Sequence, residues 1–222
     1  MEAIVQSKSL VEQTYDAILE AIGSGELLPG DRLNQDDIAM RLGVSRQPVN
    51  SAISILKVNG LVQDTGRRGT VVSELTPAAI QNVYEFRLAL EPFAVARATE
   101  RQPPTASTEA ADILSRGELA LSQKDVVALV TADADFHQTI YRWSGNSVIE
   151  DSMQMNWHFI RRAMAGVLKS THLARKSWNE HAEILEAVLD RDADRAAILM
   201  QKHIEDARQL TVDLAADAKD VD

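Results

Sequence analysis

The stretch PGDRLNQDDIAMRLGVSRQPVNSAISILKVNGLVQDTGRRGTVV, residues 29–72, has the most informative local pattern in this sequence. Apolar side chains recur at helical spacing in two short segments, one ending at Gly43 and the next beginning at Ser45. Only Val44 lies between them, so the turn that joins the two helices is tight. Two short helices around such a turn are typical of a helix-turn-helix, and we predict that motif here.

The ends of this stretch predict a helix cap and a β-hairpin. Asn34 or Gln35 stands where a side chain would cap the first helix of the motif. After Gly60 the pattern changes to LVQD (61–64), a basic glycine-rich turn and then TVVS (70–73). Two strand-like runs around a turn that contains glycine predict a β-hairpin, which would form the wing of a winged helix-turn-helix.

Polar side chains on the second helix and on the wing have the chemistry needed to contact DNA. A helix fits the major groove, where arginine pairs bidentately with guanine and glutamine or asparagine pairs with adenine. Arginines at a wing tip can hold phosphates or enter a minor groove. The candidate DNA-binding residues are Ser45, Arg46, Gln47 and Asn50 on the helix and Arg67 and Arg68 on the wing. The alternative interpretation is that these are ordinary surface residues of a small helical domain.

The charge of the chain is acidic overall but basic around this motif. Of the net charge of −10, residues 1–73 account for −2, from seven Lys and Arg against nine Asp and Glu, which leaves −8 for the rest. Residues 41–68 contain five basic residues and one acidic residue, a local excess of +4. Charges more than about 10 Å apart are largely screened, so this local excess governs contact with phosphates. Global acidity therefore does not exclude DNA as a partner.

Composition excludes several classes of protein. The chain has no cysteine, which rules out disulfides, thiolate zinc sites and cysteine nucleophiles and suits a reducing cytoplasm. No apolar run approaches the roughly 18 residues that cross a bilayer, and the start lacks the pattern of a signal peptide. We therefore predict a cytoplasmic protein without a membrane partner.

The remainder of the chain has the pattern of successive helices. Thr76 followed by Pro77 predicts a helix start, because threonine caps well and proline suits the first helical position. About six helices of 14–24 residues would follow, separated by breaks near 102–104, 123–124, 144–146, 170–171 and 190–192.

These patterns predict a mainly α fold, with an N-terminal winged helix-turn-helix and a C-terminal all-α helical bundle. The predicted boundaries are a DNA-binding domain over 1–73, a linker over 74–76, a helical domain over 77–215 and a frayed acidic tail over 216–222.

Four side chains in the helical part are candidate metal ligands. Asp133 and His137 are four residues apart and so share one face of a helix, whereas His181 and His203 lie on two further amphipathic helices. One carboxylate and three imidazoles from three helices can converge in a bundle core and bind Zn²⁺, Ni²⁺, Fe²⁺ or Mn²⁺. Spacing alone leaves the alternative that each histidine is solvated or caps a helix.

The stretch 29–72 resembles, from end to end, the DNA-binding signature of the GntR family of bacterial transcription regulators. The segments in register are Pro29-Gly30, Arg32-Leu33, Gly43-Val44-Ser45-Arg46, Pro48-Val49, Gly60-Leu61 and Gly69. The phosphate and base contacts that the resemblance implies fall on Arg32, Ser45, Arg46, Gln47 and Gly69. Asn50 departs from the pattern, since many members have arginine after the Pro-Val pair, and this leaves the operator sequence open.

The segments VYEFRLALEPFAVARA, DADFHQTIYRWSGN and WNEHAEILEAVLDRDADRAAILMQKHI resemble the ligand-binding FCD domain of the FadR subfamily, in its metal-binding branch. The metal ligands implied by this resemblance are Asp133, His137, His181 and His203. Arg87 matches a position near the effector and would pair with its carboxylate. An equally good alternative is a salt bridge from Arg87 to Glu91, its i+4 neighbour.

The two resemblances together imply a ligand-responsive, sequence-specific transcription regulator. In this interpretation a homodimer represses from a palindromic operator in double-stranded DNA and responds to a small organic acid at the metal. One alternative is a metal-dependent enzyme acting on a small carboxylate, but no separate general base, nucleophile or phosphate-binding loop is evident, so we predict no enzymatic activity. The remaining alternatives are a regulator whose metal is purely structural and a helical scaffold that has lost its ligand site.

Overall fold

The computed structural model of the protein describes residues 8–23, 26–66, 69–74 and 76–217. Its internal contacts divide the chain into two compact units, Met1–Glu74 and Leu75–Asp222. Within the described ranges, no helix is both long enough and apolar enough to cross a membrane.

The first unit is a winged helix-turn-helix, as predicted. Its elements are α1 (Leu10–Gly23), α2 (Gln35–Leu42), α3 (Arg46–Val58), β1 (Val62–Asp64) and β2 (Thr70–Val72). The two strands pair in antiparallel register with Val62 opposite Val72, and each is one residue shorter than its predicted run. Helix α3 faces inward through an apolar stripe at helical spacing, which consists of Val49, Ala52, Ile53 and Leu56.

Local hydrogen bonds define the turn between α2 and α3. Of the two predicted caps, Asn34 is the one observed, since its side-chain oxygen accepts from the N–H of Asp36 at 3.0 Å. Gly43 ends α2 with a φ of 64°, a left-handed conformation that side chains disfavour. Ser45 holds the cap position of α3 but makes no capping bond with its side chain, so its hydroxyl is not engaged by the helix.

The second unit contains six helices within the described part of the chain, which agrees with the predicted all-α bundle. They are α4 (Pro77–Arg101), α5 (Ala106–Gln123), α6 (Val126–Trp143), α7 (Ser147–Leu168), α8 (Thr171–Leu189) and α9 (Ala193–Asp217). The two longest, α4 and α9, have 25 residues each, one more than the predicted maximum. Helix α9 reaches Asp217, past the predicted domain end at 215, and residues 218–222 lie outside the described residues.

Side-chain caps mark where three of the bundle helices, α4, α6 and α7, begin. Thr76 accepts from the N–H of Ala79 at 3.2 Å at the start of α4, as its position before Pro77 predicted. Asp125 accepts from the N–H of Ala128 at 3.0 Å at the start of α6. From this start, the buried face of α6 carries three polar side chains among its apolar ones, and these are Asp133, His137 and Thr139.

Candidate functional site

The interior of the helical unit brings together three histidines from three helices. One ring nitrogen each of His137 on α6, His181 on α8 and His203 on α9 lies within 4.8 Å of the other two. The closest pair is His181 Nε2 and His203 Nε2, at 3.2 Å. All three side chains are buried, so they are not the solvated histidines that the spacing alone allowed.

Asp133, the fourth predicted ligand, lies beside this group. Its Oδ1 is 3.6 Å from His181 Nε2, and its side chain is also buried. Asp135, two positions further on, points away as the helical period requires and forms an ion pair with Arg116. The structure therefore places all four predicted ligands together.

Carboxylates hold two of the three imidazoles. His137 Nδ1 donates to Glu91 Oε2 at 2.7 Å, and His203 Nδ1 donates to Glu180 Oε2 at 2.8 Å. A proton on Nδ1 leaves the lone pair on Nε2, the nitrogen that would then bind a metal.

His181 is held differently, by aromatic packing. Its ring stacks on Phe136 with centroids 3.9 Å apart and meets Trp178 edge-on at 5.1 Å. Its Nδ1 has no hydrogen-bond partner among the described protein atoms.

The environment of His137 and His181 favours the neutral form of both imidazoles. Burial lowers the pKa of His181 well below its ordinary value, and the neighbouring His203 and His137 lower it further. Burial also lowers the pKa of His137, an effect that the nearby Glu91 carboxylate only partly offsets. Neutral imidazole is the form that coordinates a metal ion, so burial prepares these two side chains for metal binding.

Arg87 forms the buried salt bridge that was one of its two predicted roles. Its Nε donates to Glu91 Oε1 at 2.5 Å, and the two side chains are 1% and 0% exposed. Burial opposes both charges, but Arg87 and then His137 outweigh it and hold the pKa of Glu91 well below its usual range. The same guanidinium borders the histidine cluster, because its Nη2 is 3.2 Å from His137 Nε2.

Several residues at this site were not identified from the sequence. Helical spacing indicates Glu91 only as a salt-bridge partner of Arg87, and the sequence gives no indication of Glu180. Tyr84 and Trp157 flank the guanidinium, with ring centroids 5.2 and 5.7 Å from its central carbon. A buried Arg-Glu pair four residues apart is detectable by helical spacing, but partners on different helices give no local signal.

Unpaired polar atoms accumulate around the cluster. Asp133 Oδ1, Trp157 Nε1 and His181 Nδ1 are buried without a hydrogen-bond partner among the described protein atoms. Buried polar atoms are paired in the great majority of cases. The carboxylate oxygen fits a divalent metal ion held together with the imidazoles. The indole N–H fits a small polar ligand that accepts a hydrogen bond.

The predicted DNA-contacting residues of α3 lie on its outer surface. Ser45, Arg46, Gln47 and Asn50 are exposed, whereas the intervening Pro48 and Val49 are buried. The first turn of α3 therefore presents its polar side chains outward as a set.

Two arginines of the winged unit make further contacts. Arg46 Nε is 3.0 Å from Asp36 Oδ1 in an ion pair whose side chains are 63% and 65% exposed. The guanidinium of Arg32 passes close to Gly69, where a Cβ would lie 3.7 Å from its Nε. Arg67 and Arg68, predicted for the wing tip, lie outside the described residues.

Both units match known families. The model of the FCD domain matches residues 82–206, which is more than half of the chain, and that of bacterial regulatory proteins of the gntR family matches residues 10–72. The chain belongs to the GntR family and carries an FCD domain.

This GntR-family member is similar in sequence to several transcription regulators. It is 33% identical over 139 residues to an uncharacterized HTH-type transcriptional regulator in the TAR-I ttuE-ttuC' intergenic region of Agrobacterium vitis, covering 61% of this chain and 81% of that protein. It is 25% identical over 202 residues to the HTH-type transcriptional repressor RspR of Escherichia coli, covering 88% and 86%. These relatives support a DNA-binding transcription regulator and point away from an enzyme.

Solved structures show the same fold. Escherichia coli McbR/YncC superposes with a TM-score of 0.82 at 20% identity and covers 92% of this chain and 98% of that one. A putative GntR regulator from Rhodococcus superposes with a TM-score of 0.80 at 24% identity, with the same coverage. At these identities the likeness establishes the fold only.

Proposed function

We propose that this GntR-family member is a metal-dependent sensor of a small organic acid and a repressor of transcription, in the metal-binding branch of the FadR subfamily. A homodimer would bind a palindromic operator and release it when the acid is bound. The observation that carries this proposal is the convergence of three buried imidazoles next to a buried carboxylate.

The metal ligands in this proposal are Asp133, His137, His181 and His203. Imidazole and carboxylate donors suit Zn²⁺, Ni²⁺, Fe²⁺ or Mn²⁺. Four protein ligands leave two positions on an octahedral ion, and when bound the metal would supply these to oxygen atoms of the acid. The unpaired Asp133 Oδ1 supports this assignment, because a cation is the partner that a buried carboxylate oxygen needs.

The acid would be recognised by Arg87. Its Nε is engaged by Glu91, which leaves N–H groups on its two terminal nitrogens to meet a carboxylate. Full burial of Arg87 restricts the ligand to small molecules, and Trp157 Nε1 offers a further unpaired donor nearby.

Contacts to DNA would come from the first turn of α3 and from the wing. The exposed set on the helix would contact base edges and phosphates of the major groove. The proposed DNA-binding residues are Arg32, Ser45, Arg46, Gln47, Asn50, Arg67, Arg68 and Gly69. If the acid binds one arrangement of the DNA-binding units better than another, it shifts operator affinity through a coupling of about 1–3 kcal/mol.

Two substitutions test whether the two activities reside where we place them. Arg46→Ala should abolish recognition of the native promoter palindrome while bound metal per chain is unchanged. His181→Ala should lose metal and the response to acid but keep salt-sensitive general binding to DNA. Metal analysis of purified protein and fluorescence anisotropy with labelled duplex measure these outcomes.

Matched controls separate these effects from surface changes. Arg175→Ala removes an exposed arginine of the helical unit, and His172→Ala removes an exposed histidine of α8, the helix that carries His181. Neither control should alter metal content or DNA binding. Equal loss of both activities in Arg46→Ala and His181→Ala would contradict the proposal.

A thermal-shift screen distinguishes a sensing metal from a structural one. The metal-stripped full chain is melted with and without Zn²⁺, and with acetate, pyruvate, lactate, malate or succinate at each condition. We expect Zn²⁺ to raise the midpoint and at least one acid to raise it further only when Zn²⁺ is present. A rise with Zn²⁺ that no acid increases would assign the metal a structural role.

A further inference from the structure

The two carboxylates that hold histidines in the cluster differ in their surroundings. Glu180 is 21% exposed, and its second oxygen, Oε1, lies 3.6 Å from the surface residue Lys176. Glu91 is 0% exposed and reaches the cluster from α4, a helix that provides none of the predicted metal ligands. Glu91 is shielded from water, so its carboxylate depends on neighbouring protein groups for its hydrogen bonds.

Both oxygens of Glu91 have a partner. Oε2 accepts from His137 Nδ1 at 2.7 Å, and Oε1 accepts from Arg87 Nε at 2.5 Å. A carboxylate fixed at both oxygens cannot rotate without breaking one of these bonds. The imidazole that it holds is consequently fixed in both tautomer and ring orientation.

Arg87 does not occupy the lone pair of His137 that a metal would use. Its Nη2 is 3.2 Å from Nε2 and 3.5 Å from Nδ1 of the same ring. An amino group in line with the Nε2 lone pair would be much farther from Nδ1, so near-equal distances place it beside the ring. Since Nδ1 is taken by Glu91, Nε2 of His137 is the nitrogen left for coordination.

We propose that Glu91 is a positioning residue of the metal site, which holds His137 with its Nε2 available to the metal. The inference rests on the proposed function, because it assumes that the cluster binds a metal. In this proposal Glu91 supports the metal site without being a metal ligand, and α4 therefore contributes to metal binding.

A purely structural role for Glu91, as the counter-ion of Arg87, is the alternative. The variant Arg87→Met removes the cation, and in this background Glu91→Gln and Glu91→Leu are both neutral and similar in size. Replacing a buried ion pair as a unit is usually tolerated, so both double variants should fold. They differ in one respect, because glutamine retains an oxygen that can accept from His137 Nδ1 and leucine has none.

The experiment measures Zn²⁺ affinity of the metal-stripped full-length variants by competition with a chromophoric chelator. Visible absorption of the Co²⁺-loaded variants reports ligand geometry, and circular dichroism confirms folding. We expect the variant with Arg87→Met and Glu91→Gln to bind Zn²⁺ about 10–100-fold more tightly than the variant with Arg87→Met and Glu91→Leu. The Co²⁺ spectrum of the Glu91→Leu variant should also differ from that of the parent chain.

Variants of Glu180 provide the matched control at the second carboxylate. Glu180→Gln should again exceed Glu180→Leu in Zn²⁺ affinity, because glutamine can accept from His203 Nδ1. Equal Zn²⁺ affinities and identical Co²⁺ spectra for the Glu91→Gln and Glu91→Leu double variants would overturn the inference while the metal site stands. Absence of Zn²⁺ binding by the unmodified chain would instead overturn the proposed function, and with it this inference.

Discussion

Each unit of the chain holds an arginine against a carboxylate, and the two pairs differ mainly in burial. In the winged unit, Arg46 and Asp36 are 3.0 Å apart with both side chains mostly exposed. In the helical unit, Arg87 and Glu91 are 2.5 Å apart with both side chains withdrawn from water. An exposed pair is worth little and exchanges partners readily, whereas breaking a buried pair leaves an uncompensated charge.

This difference fits the ligands that we propose for the two units. In that proposal Arg46 would leave Asp36 for a phosphate or a base at low cost, so its ion pair would compete only weakly with DNA. Arg87 would stay with Glu91 and offer its remaining N–H groups to a ligand small enough to enter the bundle. Four substitutions compare the two units, from the largest expected effect to the smallest.

Glu91→Ala should produce the largest loss of stability. It leaves the buried Arg87 charge without its counter-ion and His137 Nδ1 without its acceptor. We expect a loss of about 3–5 kcal/mol in the free energy of unfolding, measured by urea denaturation. Adding Arg87→Met should recover most of this loss, and a chain with Glu91→Ala alone that matched the parent would show that burial is not what distinguishes the pairs.

Gly117→Ala tests how tightly the bundle packs beside the cluster. A Cβ at Gly117 would lie 1.8 Å from Cζ2 of Trp178, the side chain that meets His181 edge-on. Trp178 is buried and donates to the Leu114 carbonyl, so we expect a loss of about 1–3 kcal/mol in thermal or urea unfolding. Alanine is otherwise favoured over glycine in a helix by about 1 kcal/mol, so a stabilised variant would mean that Trp178 moves freely.

Asn34→Ala should have an intermediate effect in the winged unit. It removes the side chain that caps α2, and N-cap substitutions of this kind cost about 1 kcal/mol. Asn34→Ser, which keeps a capping oxygen, is the control and should stay close to the parent in urea unfolding. Equal losses in both variants would show that the cap is not what Asn34 contributes.

Asp36→Ala should have the smallest effect on stability and a gain in DNA binding. The pair is exposed, so we expect a change of less than about 0.5 kcal/mol in the free energy of unfolding. Removing an acidic group beside Arg46 should tighten salt-dependent binding to duplex DNA, measured by fluorescence anisotropy across salt concentrations. Weaker binding would instead mean that Asp36 holds Arg46 in the orientation that DNA requires.

The winged unit was predictable in detail because its signals are local. Asn34, Gly43 and the strand-like runs around the wing act through neighbours a few positions away, and the observed elements end within a residue of the predicted ones. The helical unit was predicted as six helices for the same reason, since the start at Thr76 and the five breaks between helices are local features of the sequence.

Contacts between helices were less predictable. The sequence suggested that Asp133, His137, His181 and His203 share a site, but it gave no reason to include Glu91 or Glu180. Glu91 and His137 are separated by 46 positions, and His203 and Glu180 by 23. No periodic pattern links residues at such separations, because their proximity depends on how whole helices pack.

The sequence by itself determined the order and ends of the helices, the tight turn before α3 and the residue types available to bind a metal or DNA. Tertiary structure alone decided that Arg87 and Glu91 are buried while Arg46 and Asp36 are exposed, and which nitrogen of each histidine is left unbound. The physical reason is the separation along the sequence over which each interaction acts. Caps, turns and helical periods are set by atoms close in sequence, whereas burial and hydrogen-bond partners are set by the packing of distant helices.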